Sequence, residues 1–542
     1  MAKQRPARTG TIEHIWMVSR EYEGLAGAGG VKDMVRQAAE AAARAGRRVS
    51  VSLPAYGFID PAAAGFSPVE LRFEVDMDYA GEPRRESVEV WHLRQNGVDL
   101  YLLDSPRFRE KTGVYTYTAE DELRNPFNHR GDGHFDFFAT NVLLQKATLA
   151  LIIRLGEHPQ TIHCHDGHAA LLPPMLRELD GFRHYFGNTG CVVTIHNAGV
   201  GYHQEVGDLI FARAITGLPL PVIYGNLLNG DFDPLLAASG YALLNTVSEN
   251  YARELQETTL DSLTGGLGRR LLDRGVRLAG ITNGINPADF NPRMHKKLGL
   301  AAPFNPVARD LDGKRQCRAD LVGLLAEKNR EAGAILRAGR LQPAPELPLF
   351  TFIGRLTSQK GVDKLVDALE TLLAHDRDFQ VVILGSGEKG IENSLVELAD
   401  APGNDGRIAL LVGYSPGIAN KVYAAGDFFL IPSQFEPCGL TDFIAQLFGN
   451  LPVVHHTGGL VKVEDGVTGF AYHDHSSAAL MGAMQKALHV FRGQPETIRA
   501  MQRAAIERIG ERYTWDAVIH RYFDLYAQAA KIRPTPPQPA PI

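Results

Sequence analysis

Short apolar runs alternate along the chain with longer segments whose apolar residues recur at helical spacing. Residues 12–18 and 47–53 have the composition of buried strands, and residues 31–44 between them have the spacing of a helix. The loop before this helix, EYEGLAGAGG, places Gly29 and Gly30 at the helix entrance. Glycines let backbone amides approach a phosphate closely, although a tight turn alone would also require them.

The second half of the chain repeats this alternation. Strands are predicted at residues 349–354, in VVILG, in IALLVGYS, at residues 427–432 and in LPVVHH, with helical segments between them. Repeated strand–loop–helix units form parallel sheets with helices on both faces. The pattern therefore predicts an α/β chain that contains a second doubly wound domain.

The remaining segments are less regular. Residues 137–155 and YTWDAVIHRYFDLYAQAA near the C-terminus have helical spacing, and the proline-rich tail from Pro534 is expected to be disordered. Residues 57–130 contain charged, hairpin-like pieces whose spacing gives no catalytic prediction.

Composition narrows the class of protein. A chain of 542 residues with 44% hydrophobic and 22% charged residues is typical of a soluble protein of two or three domains. A net charge of −6 gives no reason to expect a nucleic-acid partner. The basic N-terminus lacks the apolar core of a signal peptide, and no apolar run approaches membrane-spanning length. Four scattered cysteines fit a reducing cytosol, so we expect a cytoplasmic protein without a membrane partner.

The stretch DFFLIPSQFEPCGLTDFIAQLFG contains the most informative chemistry. A buried strand at 427–432, a compact loop at 434–439 and a helix from about 440 to 448 place backbone N–H groups at the edge of a sheet, where an anion can bind. Glu436 lies inside this loop, and such a positive site would keep its carboxylate ionised. The combination suggests a sugar attached to a phosphate, although a surface glutamate beside a structural Pro-Cys-Gly turn is the simpler alternative.

Three histidines in TIHCHDGHAALL raise the question of a metal. His163, His165 and His168 lie across a strand end and a turn rather than on one helix face, which is not a zinc-binding pattern. We therefore predict no metal site. Asn283–Gly284 can likewise be explained as a tight turn.

FEPCGL resembles the donor-sugar motif of bacterial glycogen synthases and plant starch synthases. RLTSQKG, GY and EPCGL occur in the order of that family, and TIHCHDGH, TIHN, TVSENYA and TNGIN are similar to its other segments. The resemblance covers residues from about 12 to 530, and the chain is identified as a member of this family.

The resemblance implies the GT-B architecture, in which two Rossmann-like doubly wound domains face an interdomain cleft. The first domain would comprise residues 1–282, completed by a C-terminal helix at about 513–530. The nucleotide-sugar-binding domain would comprise residues 283–512, followed by a disordered tail at 531–542.

The chemistry of glucose transfer is consistent with this implication. Transfer from a nucleotide diphosphate expels a doubly charged leaving group, and the chain shows no convincing Asp-x-Asp metal pair. Arg355 and Lys360, on the loop after a predicted strand, can neutralise the leaving group together with helix N-termini. A solvated charged loop is the alternative reading of these two residues. No cofactor is expected.

Further roles come only from the resemblance. Glu436 would bond the glucose hydroxyls, and His165 and Asn283 would help to hold the glucose. The donor would also contact Gly29, Gly30, Tyr414, Cys438, Gly439 and Leu440, with Tyr414 stacked on the base and the amides of the last three on sugar and phosphate. The family retains anomeric configuration by same-face attack, with the leaving phosphate as base, so no nucleophile is assigned.

The chain departs from the family at several positions. Gly27 stands where a lysine normally reaches the donor phosphate, Gln434 replaces an arginine, and His455–His456 replaces two arginines. Among the neighbours of Gly27, Arg20 is favoured over Lys32 as a substitute cation, because it lies on a glycine-rich loop. Gly167 also replaces a tryptophan and Asn286 an aspartate.

Three functions are compatible with these residues. The first is a retaining glucosyltransferase that extends an α-1,4-glucan from ADP-glucose or UDP-glucose. The second is a related transferase with another nucleotide sugar or a small acceptor. The third is a weakly active or inactive glycan-binding homologue. The presence of Arg355, Lys360 and Glu436 together favours an enzyme, because a pure binding protein does not need all three.

Overall fold

The computed structural model describes residues 12–308, 311–327, 335–413 and 415–531. The chain divides into two compact units. Unit 1 comprises the residues up to Gly284 together with those from Trp515 onward, and unit 2 runs from Ile285 to Thr514. The sequence-based limits, 282/283 and 512/513, each lie two residues before these boundaries.

The described strands of unit 1 are β1 (His14–Val18), β2 (Arg48–Pro54), β3 (Ser67–Asp78), β4 (Pro83–Gln95), β5 (Val98–Asp104), β6 (Thr161–His165), β7 (Gly190–Ile195), β8 (Leu227–Leu228), β9 (Asp231–Phe232), β10 (Leu243–Thr246) and β11 (Ala279–Gly280). Its described helices are α1 (Val31–Arg44), α2 (Pro106–Arg109), α3 (Ala119–Arg124), α4 (Phe137–Arg154), α5 (Leu172–Glu178), α6 (Asp180–Arg183), α7 (Leu209–Thr216), α8 (Leu220–Tyr224), α9 (Pro234–Ala238), α10 (Glu249–Glu257), α11 (Leu267–Asp273) and the helix Trp515–Ala529, with a 3-10 helix at Thr259–Thr264.

The main sheet of unit 1 has the order β11-β10-β7-β6-β1-β2-β5-β4-β3 among the described strands. It is parallel from β11 to β5 and antiparallel from there to the edge. β1 is fully buried, as expected for a central strand covered on both faces. β3 and β4 alternate between exposed and covered residues, and they form the hairpin-like part that the sequence suggests within 57–130.

The helix Trp515–Ala529 packs in unit 1. Tyr526 donates a hydrogen bond from its hydroxyl to His163 Nδ1 at 2.9 Å, and Gly190 lies so close to Ala529 that a Cβ there would be 2.6 Å from its carbonyl carbon. This helix therefore covers the sheet beside β7. Of the tail predicted to be disordered, 531–542, all but Lys531 lies outside the described residues.

α4 is long and apolar enough to cross a membrane, which the sequence analysis did not anticipate. Its 18 residues have a mean hydropathy of 1.3, and 72% of them are buried inside the protein. This burial is typical of a core helix, because α4 packs between α5 and the sheet. Length and composition alone are therefore weak evidence for a membrane span.

The described strands of unit 2 are β12 (Leu336–Gly339), β13 (Leu349–Ile353), β14 (Gln380–Gly385), β15 (Ile408–Val412), β16 (Phe428–Ile431), β17 (Leu451–His455) and β18 (Phe470–Tyr472). Its described helices are α12 (His295–Leu298), α13 (Asp312–Leu325), α14 (Val362–His375), α15 (Lys389–Asp400), α16 (Pro416–Ala425), α17 (Thr441–Leu447), α18 (Ser477–Gly493) and α19 (Pro495–Arg512), with 3-10 helices at Pro287–Phe290, Pro292–Met294, Ser358–Lys360, Pro402–Asn404 and Gly458–Lys462.

The sheet of unit 2 has the order β12-β15-β14-β13-β16-β17-β18 in the part of the chain that the structure describes. All pairs are parallel except β12 with β15. The chain runs from β13 outward to β15 and then returns to β16 on the other side of β13. The strand order reverses between β13 and β16, and ligands of open α/β sheets bind at such a switch point. Unit 1 has the same reversal between β1 and β6.

Candidate active site

The loops after β13 and β16 carry the residues that the sequence singles out in unit 2. Arg355 and Lys360 follow β13, and Glu436 follows β16. Because β13 and β16 are neighbours in the sheet, both loops begin at the switch point. Gly361 brings them into direct contact: its φ is +68°, and a Cβ there would be 1.9 Å from the carbonyl oxygen of Pro432. A residue with a side chain would separate the two loops.

Lys360 and Glu436 form an ion pair between these loops. The Lys360 ammonium lies 2.6 Å from Glu436 Oε2, and the Ser433 hydroxyl donates to the same oxygen at 3.0 Å. Burial tends to raise the pKa of Glu436, but Lys360 and Ser433 outweigh it and hold the pKa below its ordinary value. The carboxylate is therefore ionised and paired with Lys360.

Arg355 is exposed and less firmly held. Its guanidinium donates to Gln359 Oε1 at 3.1 Å. Gln359 in turn donates from its side chain to the carbonyl of Phe435 at 2.8 Å, and its own carbonyl accepts the N–H of Gln434 at 2.9 Å. Gln359 thus ties the Arg355 loop to the Glu436 loop.

The predicted donor amides lie at the start of α17. Cys438 is buried, and Gly439 has a φ of +73°. Leu440 immediately precedes the helix, which begins one residue later than predicted, at Thr441. Tyr414, the residue predicted to stack on the base, lies outside the described residues.

Lys462 and Asp442 lie beneath this loop, and sequence reasoning missed both. The Lys462 ammonium donates to the carbonyl oxygens of Cys438, Gly439 and Gly459, and it lies 3.1 Å from Asp442 Oδ1. The two side chains are 5% and 0% exposed. A lysine and an aspartate 20 residues apart carry no pairing signal in one sequence, so only the fold brings them together.

His455, one of the histidines that replace family arginines, is also structural. Its Nδ1 lies 2.8 Å from the carbonyl oxygen of Ser433, and its Nε2 lies 3.1 Å from that of His473. His455 therefore braces the start of the Glu436 loop against the segment that follows β18. His456, beside it, packs edge-on against the ring of His473.

In unit 1 the three histidines after β6 have separate partners. His163 bonds Thr194 and Tyr526, and His168 stacks on Tyr115 at 4.8 Å. His165 Nδ1 lies 3.0 Å from His196 Nε2, while its own Nε2 is buried without a hydrogen-bond partner among the described residues. Burial lowers the pKa of His165 well below its ordinary value, so the ring is neutral. Within the described ranges, no group of three or more His, Cys, Asp or Glu side chains could hold a metal ion.

The surroundings of Gly167 explain why a glycine stands where the family has a tryptophan. A Cβ at Gly167 would be 2.1 Å from the carbonyl oxygen of His203, so the backbone of a neighbouring loop occupies the space where a side chain would begin. His203 is fixed there by hydrogen bonds to Asp233 and to the carbonyl of Ala198, both 2.7 Å long.

Asn283 lies at the end of unit 1 and is 3% exposed. Its Oδ1 has no hydrogen-bond partner in the part of the chain that the structure describes. Gly284 packs against Trp515, because a Cβ there would be 2.9 Å from the indole and its backbone. Asn286, which replaces the family aspartate, caps the next 3-10 helix by accepting the N–H of Ala288. The asparagine thus performs the capping role of an aspartate.

The glycine loop after β1 is bound by the side chain of Glu21. Glu21 accepts hydrogen bonds from the N–H groups of Ala28 at 2.7 Å and Gly29 at 3.1 Å, and from the hydroxyl of Tyr115 at 2.6 Å. The amide of Gly29 is therefore already bound to a carboxylate. Gly30 is the residue before the first turn of α1.

Arg20 does not reach into open space, which corrects the expectation that it substitutes for a lysine at Gly27. It is 3% exposed, and its guanidinium bonds the Tyr56 hydroxyl, Asn141 and the carbonyl of Val114. The physical reason is that the glycine loop folds outward while Arg20 points into the core.

Lys32, by contrast, lies directly over Gly27. A Cβ at Gly27 would be 2.2 Å from Lys32 Cδ, so the lysine stem fills the space that a side chain at position 27 would use. Its ammonium lies 2.6 Å from Asp33, and its side chain is 33% exposed.

Two family models match the chain, one to each unit. The starch synthase catalytic domain matches residues 14–269, and glycosyl transferases group 1 matches residues 347–489. Among solved structures, the catalytic domain of starch synthase IV from Arabidopsis thaliana, bound to ADP and acarbose, has a TM-score of 0.77. It is 23% identical and covers 96% of this chain and 100% of its own. The protein is therefore a glycosyltransferase with the GT-B fold.

Curated relatives narrow the class further. A glycogen synthase of Anaeromyxobacter dehalogenans is 32% identical over 95% of this chain and 99% of its own length. Glycogen synthase 1 of Geobacter metallireducens is 30% identical over 96% of both chains. The chain belongs to the glycogen and starch synthase family, which confirms the family and the fold predicted from the sequence.

Proposed function

We propose that this protein transfers glucose, with retention of anomeric configuration, from ADP-glucose or UDP-glucose to the non-reducing end of an α-1,4-glucan. The Lys360–Glu436 pair at the switch point of unit 2 carries the proposal. A cation for a phosphate and an ionised carboxylate for sugar hydroxyls lie 2.6 Å apart on two adjoining loops. The relatives named glycogen synthase, and the ADP and acarbose bound to starch synthase IV, support the same substrate classes.

The resting ion pair suggests how the donor is recognised. The diphosphate offers Lys360 a doubly charged partner, and the glucose hydroxyls offer Glu436 hydrogen-bond donors. Donor binding would thus exchange one ion pair for two charge-assisted contacts. Arg355 and the N–H groups of Gly439 and Leu440 would share the charge that develops on the leaving phosphate.

The unit 1 residues contribute hydrogen-bonding atoms for the glucose. His165 Nε2 and Asn283 Oδ1 are buried polar atoms without a hydrogen-bond partner among the described residues. Unpaired buried atoms of this kind are costly, and a sugar hydroxyl would satisfy them. We therefore assign both residues to glucose positioning. Attack from the face of the leaving phosphate, with that phosphate as base, then needs no protein nucleophile.

We also place the protein in the cytoplasm. All four cysteines are buried and none forms a disulfide, which fits a reducing compartment.

A panel of nucleotide sugars tests the proposal. ADP-glucose and UDP-glucose should each be offered with glycogen and with short maltooligosaccharides, and the anomeric configuration of the product read by NMR. We expect transfer from at least one of the two donors to the glucan ends. Transfer only from another nucleotide sugar, or only to a small acceptor, would favour a related transferase, and binding without transfer would favour a glycan-binding homologue.

A further inference from the structure

We propose that Lys462 is a positioning residue that sets the orientation of the donor loop, defined here as residues 433–440. It does so by binding the carbonyl oxygens of Cys438 and Gly439 from beneath. This inference rests on the proposed function, because it assumes that the donor loop binds a nucleotide sugar. Lys462 itself would not contact the donor.

The contacts of the Lys462 ammonium converge on the loop backbone. Its Nζ lies 2.5 Å from the carbonyl oxygen of Cys438, 2.7 Å from that of Gly439 and 3.0 Å from that of Gly459. An ammonium group has three hydrogens, so these three carbonyls use its full donor capacity. The Phe443 ring adds a cation–π contact at 4.4 Å.

The geometry of the peptide bond then determines where the N–H groups of the donor loop point. In a trans peptide the C=O and the following N–H point in opposite directions. Binding the carbonyls of Cys438 and Gly439 from below therefore directs the N–H groups of Gly439 and Leu440 to the opposite side. Those are two of the amides assigned to the donor.

A second backbone segment holds Lys462 under the loop. Gly459 donates its N–H to the carbonyl of Glu436 at 2.9 Å. A Cβ at Gly459 would be 2.1 Å from the carbonyl oxygen of Cys438, and one at Gly458 would be 2.0 Å from that of Glu436. The 3-10 helix Gly458–Lys462 thus lies in direct backbone contact with the donor loop, and the lysine at its end has little freedom to move.

Asp442 balances the buried charge. Its carboxylate lies 3.1 Å from the Lys462 ammonium, at the start of α17. The three carbonyl oxygens and the Phe443 ring also stabilise the ammonium, so the aspartate adds a counter-charge but is not its only compensation. Of the two side chains, only the lysine binds the loop carbonyls. This division of roles can be tested, because the two side chains can be changed separately.

Three variants of the full-length protein separate these roles. Lys462→Met/Asp442→Asn removes the ammonium without leaving an unpaired buried charge. Asp442→Asn alone is the matched control, because it keeps the lysine and its carbonyl contacts. Lys462→Arg keeps the charge but not the three convergent donors, and it serves if the double variant does not fold. KM is measured separately for donor and for glucan, and the rate of Cys438 alkylation by iodoacetamide is followed by mass spectrometry without substrate.

We expect the double variant to raise donor KM by about ten- to a hundredfold, the effect of losing well-oriented hydrogen bonds to a charged group. Its glucan KM should stay near the wild-type value, and Cys438, which is 7% exposed in the wild type, should react at least several times faster. Lys462→Arg should change both readouts in the same direction. Asp442→Asn should leave both near wild type.

Two results would overturn the proposal. One is a folded double variant with wild-type donor KM and wild-type Cys438 reactivity. The other is an Asp442→Asn variant that is as impaired as the double variant, since the ion pair rather than the carbonyl contacts would then matter. Cys438 reactivity needs no substrate, so it tests Lys462 separately from the proposed function. Absence of transfer by the wild type with every donor would count against the proposed function alone.

Discussion

Lys360 and Glu436 form an ion pair, so substitution of either has two effects. Lys360→Ala should lower kcat roughly 10²–10³-fold, because it removes one electrostatic contact to the leaving phosphate. It also leaves the Glu436 carboxylate without its cation. Steady-state kinetics with saturating donor measures the loss, and Lys364→Ala, in the first turn of α14 and paired with its neighbour Asp363, is the control.

Arg355→Ala and Glu436→Ala extend this test. We expect a similar loss of kcat for Arg355→Ala, and a severe one for Glu436→Ala through lost sugar positioning. A double-mutant cycle between Lys360 and Glu436 should show strong non-additivity, because the two side chains are in contact. Near-normal rates in all three folded single variants would contradict the assigned site.

Asp442 should make the stability of the protein depend on pH. Burial raises its pKa to about 6, although the Lys462 ammonium opposes the rise, whereas an unfolded aspartate titrates near 3.8. Between these two pH values the folded state binds the proton more readily than the unfolded state, so the free energy of unfolding falls as pH rises from about 4 to 6. Above about pH 6 the full cost of ionising the buried carboxyl applies. The Asp442→Asn variant has no carboxyl group at this position, so its free energy of unfolding does not include this pH-dependent loss. Its free energy of unfolding relative to wild type should therefore rise between about pH 4 and 6 and then level off, by up to about 3 kcal/mol.

Denaturant unfolding of the two proteins across that pH range measures the difference. Comparing variants cancels the other carboxylates, which titrate in both. A difference that is independent of pH, or that falls as pH rises, would show that Asp442 is not held in its protonated form by burial.

Lys32 and Arg20 should respond differently to removal. Because Lys32 lies over Gly27, Lys32→Ala should lower kcat/KM for the donor about tenfold or more, the effect of one lost charge-assisted contact. Gly27→Lys should restore part of this loss when combined with Lys32→Ala, since the clash with the Lys32 stem is then removed. Arg20→Ala should instead lower the free energy of unfolding by about 1–3 kcal/mol, because it leaves buried partners unpaired.

Kinetics and denaturant unfolding of these three variants distinguish Lys32 from Arg20 as the substitute cation. Wild-type kcat/KM in folded Lys32→Ala would refute the substitution. A stable Arg20→Ala variant with a specific loss of donor use would instead restore Arg20 as the substitute cation.

At the scale of elements, the apolar pattern predicted the first strand–helix–strand unit and the strand of the donor motif. α1 has the predicted limits, and the strand of the donor motif is only shortened at both ends, from 427–432 to Phe428–Ile431. These elements can be predicted because buried strands and amphipathic helices each have a characteristic spacing of apolar residues. Ser248 caps α10, and its side chain accepts the N–H of Tyr251.

What the sequence could not predict are the contacts between loops. The Lys462–Asp442 pair, the carboxylate of Glu21 on the glycine loop and the burial of Arg20 all depend on how turns pack in space. None of these contacts gives the sequence a periodic pattern or a characteristic residue spacing. The same limit applies to Gly361, whose role appears only in its distance to Pro432.

Gly361 should therefore be sensitive to a single added methyl group. Gly361→Ala places a Cβ against the carbonyl of Pro432 and also requires a left-handed backbone, which costs about 1–3 kcal/mol. The loops after β13 and β16 must then separate, and we expect at least a tenfold loss of kcat/KM together with lower stability. Gly390→Ala in α15, where a Cβ meets nothing within 4 Å, is the control and should be neutral or slightly stabilising. Unchanged kinetics in Gly361→Ala would show that the loop contact does not hold Lys360 in place.

At the scale of the whole molecule, the two units share one feature of sheet topology. A parallel sheet reverses its strand order beside a central strand, and the loops at that reversal carry the glycines, histidines and cations singled out from the sequence. The repeated alternation of strands and helices allowed the α/β class to be predicted from the apolar runs. The GT-B assignment required the resemblance in addition, because many unrelated enzymes use doubly wound sheets.

The arrangement of cations leads to a prediction for the intact enzyme, that transfer requires no divalent metal. Under the proposed function, Arg355 and Lys360 neutralise the leaving diphosphate, and their loop is tied to that of Glu436 through Gln359 and the Lys360–Glu436 ion pair. Fixed cations that await the developing charge need no reorganisation during the reaction, so they can replace a metal in stabilising the leaving group. Activity with the best donor should therefore survive excess EDTA. The measurement is the initial rate of glucose transfer before and after chelation, with the Lys360→Ala variant in parallel. Loss of activity with EDTA and its recovery with magnesium or manganese would show that the two side chains do not suffice.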